Sequence, residues 1–327
     1  MIYHDDVYGD QLIDEPVLLD LMNAVAMQRL RGIMQHGITG LIGITSPVTR
    51  YDHSVGVMIL VKIFGGTLAE QIAALLHDVS HTAFSHVIDY VYDNHHDQSF
   101  HDEHKESFLA QSDIPKVLDQ YRLDWRDFLD ESRYPLLEQP APRLCSDRLD
   151  YFFRDSLDLG LATSSDIHMA LRHFSVAGGR VATDSLEAAK WLAYTYIAAD
   201  DASWANFREV GLYEITALAI RRGFEIGAVH EVDIWGTDMP LWRKLLESGD
   251  EQLQSYLRLI SADTKFLWDE DSPTFRVGTK LRTIDPDVEV DDNLVPLSIL
   301  DPIFADFRTN YLRNKQGKWP MRVIAAA

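Results

Sequence analysis

Cysteine is nearly absent: Cys145 is the one thiol in 327 residues. A lone thiol can build neither a disulfide framework nor a thiolate zinc site within one chain, and it suits a reducing compartment. Also missing is any run of about 18 apolar residues, the length a helix needs to cross a bilayer, so no membrane partner is expected. The opening MIYHDDVYGD has no basic start followed by an apolar stretch, which points away from a leader and toward a cytoplasmic protein. Basic residues are scarce, with 30 Lys and Arg against 51 Asp and Glu and a net charge of −21. No Lys/Arg run gathers them, so extended nucleic acid is disfavoured as a partner. A small anion remains compatible, because one metal ion and a few arginines can set the field inside a pocket.

What the chain does have is apolar content, 46% of its residues, enough to fill a core. In 16–34, Val17, Leu18, Leu21, Met22, Val25, Leu30 and Ile33 recur at three- and four-residue spacing, which predicts an amphipathic helix. A second helix is expected over 53–64, ended by Gly65 and Gly66, a third over 68–77 and a fourth over 81–92. Further helices are expected up to Ser112 and over 114–121, 145–159, 166–172, 185–196, 204–222 and 240–248. Only 274–290, with Phe275, Val277, Val288 and Val290 around Asp285-Pro286, reads as a short strand pair. The fold class is therefore all-α with a small C-terminal β element.

His77 and Asp78 stand side by side at the end of the apolar run AALLHD. Neighbours on a helix point about 100° apart, so both reach one ion only where the helix ends or faces a cavity. Imidazole with carboxylate suits a first-row divalent ion better than calcium. More donors are needed, and His53 and Asp147 are the best-placed candidates. Each residue alone reads as a cap or a satisfied core group; the set is what carries the metal hypothesis.

Four segments in order, 28–37 (QRLRGIMQHG), 50–57 (RYDHSVGV), 75–86 (LLHDVSHTAFSH) and 147–155 (DRLDYFFRD), resemble the HD-domain phosphohydrolases, and most nearly the deoxynucleoside triphosphate triphosphohydrolase branch. The resemblance covers 28–155. It implies His53, His77, Asp78 and Asp147 as ligands of one divalent metal, Mn, Fe, Ni, Zn or Mg. It further implies Arg50 as a phosphate contact and His81 as an acid/base or phosphate-binding histidine oriented by Asp89. Gln35, His86, Tyr151 and Arg154 would line the substrate pocket, with Arg154 helping Arg50 to clamp phosphate oxygens. A further active-site histidine is expected on the next helix, His101 being preferred over His96 and His104. The chain departs from the branch at Ser80, at Thr82-Ala83 and at His36, which stands where an apolar residue usually approaches the sugar.

The implied organisation is an HD phosphohydrolase core over 1–175, a helical extension packed on it over 176–270, and a C-terminal segment with the strand pair over 271–327. The implied function is hydrolysis of a nucleotide, a dNTP giving deoxynucleoside and triphosphate, by a homo-oligomer. The alternatives are a phosphomonoesterase or phosphodiesterase on another small phosphate ester, and a non-catalytic nucleotide-sensing HD module. The helical aromatics Trp191, Tyr194, Tyr196, Trp204 and Tyr213 read as core, with Tyr213 and Arg208 as the exceptions to follow.

Overall fold

Thr49 starts the helix on which the site is hung. Its Oγ1 accepts from the Asp52 N–H at 3.2 Å, and the Asp52 carboxylate accepts from the Thr49 N–H at 3.1 Å, a reciprocal cap. In the computed structural model, which describes residues 1–324, the helix runs Arg50–Ile63 and is buried on nearly every side as far as Val61. Gly65, with φ of +77°, turns the chain. The helix Leu68–Leu76, capped by Thr67, then returns alongside it. On the other flank the helix Ser146–Asp158 approaches at Gly56. A Cβ at Gly56 would lie 2.0 Å from Arg154 Nη2 and 2.1 Å from Asp150 Oδ1, so only glycine allows this approach.

Around these three helices the remaining elements are mostly helical, as the periodicity predicts. Phe100–Gln111, Ile114–Gln120, Ser164–His173, Leu186–Ala199, Phe207–Glu225 and Asp238–Leu246 all fall within a few residues of the expected helices. No helix among the described residues is long and apolar enough to cross a membrane.

Three expectations need correction. The 16–34 helix is broken into Pro16–Asn23, Val25–Arg29 and a 3₁₀ turn, Leu30–Gly32. Its interruption at Ala24 comes from far along the chain: the Asp113 carboxylate accepts from the Val25 and Ala26 N–H groups at 2.6 and 3.1 Å and starts a new helix there. The 81–92 helix shrinks to Val87–Val91, because Phe84 and Ser85 adopt left-handed backbone with φ of 62° and 50°.

The third correction is to the all-α class. Nine strands form three small sheets among the described residues, and they are not confined to the C-terminus. Ile2–Asp5 and Gly9–Leu12 make an N-terminal hairpin. Phe174–Ala177 and Arg180–Thr183 form a second hairpin, which Asp287–Val290 joins in parallel, with Asn293–Pro296 beyond it. Trp319–Ile324 is the middle strand between Lys265–Trp268 and Phe275–Val277. The two strands foreseen in 274–290 therefore exist but belong to different sheets. Phe275–Val277 pairs with Trp319–Met321 and Asp287–Val290 with Arg180–Thr183 as well as with its neighbour Asn293–Pro296, so their sheets are decided by partners distant in sequence, which a local pattern does not encode.

One buried carboxylate ties the helix Asp238–Leu246 to the backbone around residues 34 and 84. Asp238 accepts from the Met34 N–H at 2.8 Å and from the Phe84 N–H at 2.7 Å. Nearby, the Arg29 guanidinium donates to the carbonyls of Val79 and His81 on one side and of Trp235 and Gly236 on the other. Together they hold the non-helical 79–86 turn in place. Asp238→Ala leaves two enclosed N–H groups unmatched and is expected to lower the unfolding free energy by about 2–4 kcal/mol. Urea denaturation checks this; an unchanged midpoint would contradict it.

Candidate metal centre and the cavity around it

His53 and His77 each spend one ring nitrogen on the protein. His53 Nδ1 lies 2.8 Å from Asp150 Oδ2, and His77 Nδ1 lies 2.7 Å from the Ala74 carbonyl. Both partners are pure acceptors, so in the neutral rings both Nδ1 atoms carry the proton and both Nε2 atoms present lone pairs. Those two Nε2 atoms are 3.2 Å apart. Asp147 Oδ1 stands 3.0 Å from the first and 3.6 Å from the second. Asp78 closes the group, with Oδ2 3.7 Å from His53 Nε2 and Oδ1 3.5 Å from His77 Nε2.

With the rings neutral, four electron-pair donors converge with no donor hydrogen between them, an arrangement that draws a positive charge, a proton or a metal ion, to its centre. The titration tendencies agree. Burial opposes protonation of His77, yet Asp78 and Asp147 outweigh it and push the ring up to about 10. For His53 burial again opposes, and the Asp147 and Asp150 hydrogen bonds prevail. Despite its own burial, Asp147 is held well below the usual carboxylate range by the two histidines. His53, His77 and Asp147 are therefore positioned to bind a metal ion, and a nitrogen and oxygen donor set fits a first-row divalent ion. Asp150 is the outer support: it orients His53 and also receives the Tyr8 hydroxyl at 2.9 Å.

The centre opens into a cavity of about 570 Å³. Arg50 reaches it from the first turn of its helix, donating to Asp78 Oδ2 at 2.7 Å and to Ser85 Oγ at 3.0 Å. Gln35 lines the cavity, and its Oε1 is buried without a partner. His81, His86 and His101 form a second cluster beside the metal group. His81 Nε2 is 3.3 Å from Asp78 Oδ1, and its ring stacks on His101 at 3.8 Å. Burial first, and then neighbouring positive or imidazole groups, push all three well below the ordinary histidine value, so they are neutral at pH 7. His96 and His104 stand elsewhere: His96 packs beside His95 and Gly278, and His104 stacks on Phe100.

Two expected partnerships differ. Asp89 does not orient His81: its Oδ2 lies 3.0 Å from His86 Nδ1, and its Oδ1 accepts from the Phe100 N–H. The left-handed residues at 84 and 85 break the helical register that would have aligned 81 with 89. Arg154 is not in the cavity. It sits behind the metal group, donating to Asp150 and, at 2.8 Å, to Asp5 of the N-terminal hairpin, and so supports the site without facing a ligand.

Other lining residues were given no role by the sequence. Arg148 follows Asp147 and is paired with Glu138 at 2.7 Å. Lys280, Arg282 and Arg308 come from the C-terminal region. The aromatics divide: Trp191 packs on Phe152 and Tyr194 on Phe304, as core, whereas Tyr196, Trp204 and Tyr213 face the cavity beside Tyr151. A π-helical turn, Asp200–Trp204, presents Trp204 there. Arg208 is exposed and outside the cavity.

An HD-domain profile matches residues 50–146. The metal-dependent phosphohydrolase cns2 of Cordyceps militaris is 36% identical over 325 residues, covering 96% of this chain and 93% of that protein. The chain belongs to the HD-domain metal-dependent phosphohydrolases. A phosphohydrolase from Bacteroides thetaiotaomicron shares the fold of this HD protein, with a TM-score of 0.72 at 16% identity over 100% of this chain and 99% of that one. A shorter similarity reaches the deoxynucleoside triphosphate triphosphohydrolase SAMHD1 of Danio rerio, 32% identical over 103 residues, 27% of this chain and 16% of that protein.

The geometry yields a graded expectation for metal content. Asp147→Ala should leave the purified protein with little bound metal. Asp150→Asn, which loosens His53 and removes no donor, should weaken metal affinity about 10- to 100-fold. Elemental analysis and competition with a chelator dye measure both; equal metal retention in all three proteins would refute the site.

Proposed function

We propose that this HD phosphohydrolase acts on a nucleotide, with His53, His77, Asp78 and Asp147 ligating one divalent ion. The observation that carries the reading is that one cavity is lined both by the His/Asp centre, the histidine cluster and Arg50 and by Tyr151, Tyr196, Trp204 and Tyr213, whose flat faces suit a base or sugar.

A divalent ion in the group would supply Lewis acidity toward phosphate and water. The protein's own residues do the rest. Arg50, braced by Asp78 and Ser85, keeps its guanidinium beside the metal group, where it can meet non-bridging phosphate oxygens. His86, neutral and held at Nδ1 by the Asp89 carboxylate, keeps Nε2 as a lone pair and is fitted to accept a proton from the attacking water. His81 and His101 offer ring N–H groups to the phosphate. Gln35 approaches the sugar with its unmatched Oε1.

The first substrate reading is a dNTP, cleaved to deoxynucleoside and triphosphate; the short SAMHD1 similarity and the cations around the cavity favour it. The second is a nucleoside monophosphate, cleaved to nucleoside and orthophosphate. It is favoured by the withdrawal of Arg154 and by the carboxylate partners of Arg50 and Arg148, which offset much of the positive charge a triphosphate needs.

Incubation of the protein with dNTPs, NTPs and nucleoside monophosphates, with Mn, Mg, Ni or Co added, separates these readings by product. Triphosphate release supports the first and orthophosphate release from monoesters the second. Turnover of non-nucleotide esters alone would overturn the nucleotide assignment. Asp78→Ala should lower kcat at least 1000-fold on whichever substrate is turned over; wild-type rates in that variant would sink the mechanism.

A further inference from the structure

Three cations enter the cavity from outside the HD segment. Lys280 and Arg282 lie on the irregular connection 279–283 between the strands Phe275–Val277 and Asp287–Val290, and Arg308 lies on the helix Pro302–Lys315. In a chain of net charge −21, basic side chains near a cavity ordinarily find a carboxylate, as Arg50 and Arg148 do. These three instead hydrogen-bond neutral oxygens. Lys280 donates to the Asp97 carbonyl, Arg282 to the Lys280 carbonyl and to Gln98 Oε1, and Arg308 to Thr283 Oγ1 at 2.9 Å.

The connection is held firmly enough to aim them. Asp200 Oδ2 accepts from the Arg282 backbone N–H at 3.1 Å and from the Tyr311 hydroxyl at 2.8 Å, and the Pro142 carbonyl accepts from the Asp285 N–H. The π-helical turn, the loop before the helix Phe100–Gln111 and the loop before Asp147 are thereby tied to one strap. Its charges are felt at the histidine cluster beside the metal group. Arg282 and Lys280 add to the influences that keep His86 neutral, behind burial, Arg50 and His101. Lys280 in turn is pushed down by partial burial and then by Arg282 and Arg148. Asp200 offsets part of the Arg282 charge, and Asp147 and Glu138 part of that of Lys280, yet no salt bridge closes on any of the three among the described residues; the cations still repel one another, and a polyanion bound among them relieves that repulsion.

We propose that Lys280, Arg282 and Arg308 form an anion subsite for the phosphates beyond the one at the metal centre, so that the strap favours a nucleoside polyphosphate over a monophosphate. This rests on the nucleotide reading for its biological substrate, but the subsite is measurable without turnover.

Calorimetric titration of the full-length, as-purified protein in excess magnesium, with inorganic tripolyphosphate and with orthophosphate, tests it. Wild-type protein should bind tripolyphosphate at least tenfold more tightly. Lys280→Met combined with Arg308→Gln should lower tripolyphosphate affinity tenfold or more and orthophosphate affinity less than twofold. Lys280→Met alone should give an intermediate loss, and Lys280→Arg, which keeps the charge, should restore binding. Lys244→Met, a surface control paired with Asp233, should change neither anion's binding. Thermal melting confirms that each variant is folded; if the double variant is not, the single Lys280 variants decide. Equal affinity of wild-type protein for the two anions, or an undiminished preference in Lys280→Met, would overturn the subsite. A protein that prefers tripolyphosphate but turns over no nucleotide would retain the subsite and refute the nucleotide reading instead.

Discussion

The structure turns on the close meeting of two helices at Gly56. Because no side chain stands there, Asp150 can grip His53 from behind and Asp147 can stand 3.0 Å in front of it. Once His53 Nδ1 is committed to Asp150, its Nε2 must face Asp147 and His77 as a lone pair. The resulting concentration of electron pairs is tolerable in a buried place only with a cation, and that requirement organises what surrounds it. Arg50 neutralises the outer oxygen of Asp78, and Arg154 and Tyr8 steady Asp150.

A chain this acidic would repel a phosphate ester at long range, so binding depends on charges arranged locally. The protein supplies them from both ends of the chain. The HD segment brings Arg50 and Arg148, already balanced by carboxylates, while the C-terminal strap brings cations whose protein partners are neutral. Between the two groups lie three imidazoles that burial keeps uncharged, able to give or take hydrogen bonds without adding fixed charge. Asp238 and Arg29 make this arrangement rigid by joining residues 235–238 to the turn that carries His81 and His86.

The legible parts of the site were those written in short segments. His53, His77, Asp78 and Asp147 are brought together, and His101 comes into the cavity while His96 and His104 do not. Where helical spacing was extended past its true end the pairing came out differently. Left-handed backbone at Phe84 and Ser85 moves Asp89 from His81 to His86. Arg154 sits three residues after Tyr151 on one helix, about 60° round its axis, so spacing made them companions; the ion pairs with Asp150 and Asp5 are what hold the guanidinium away from the cavity that Tyr151 lines. The β structure was underestimated because its missed hairpins, Ile2–Asp5 with Gly9–Leu12 and Phe174–Ala177 with Arg180–Thr183, are built of four-residue strands too short for alternation to register.

By itself the amino-acid order determined the helical character of the chain through apolar periodicity, and the family and its metal-binding chemistry through the resemblance of four ordered segments, because both survive without knowledge of contacts. Tertiary structure decided which histidine Asp89 supports, which arginine faces the ligand, and that residues 280, 282 and 308 reach the same cavity as residue 53. Those outcomes depend on direction and distance between elements far apart in the chain, and such geometry is set by packing and by single buried groups such as Gly56 and Asp238.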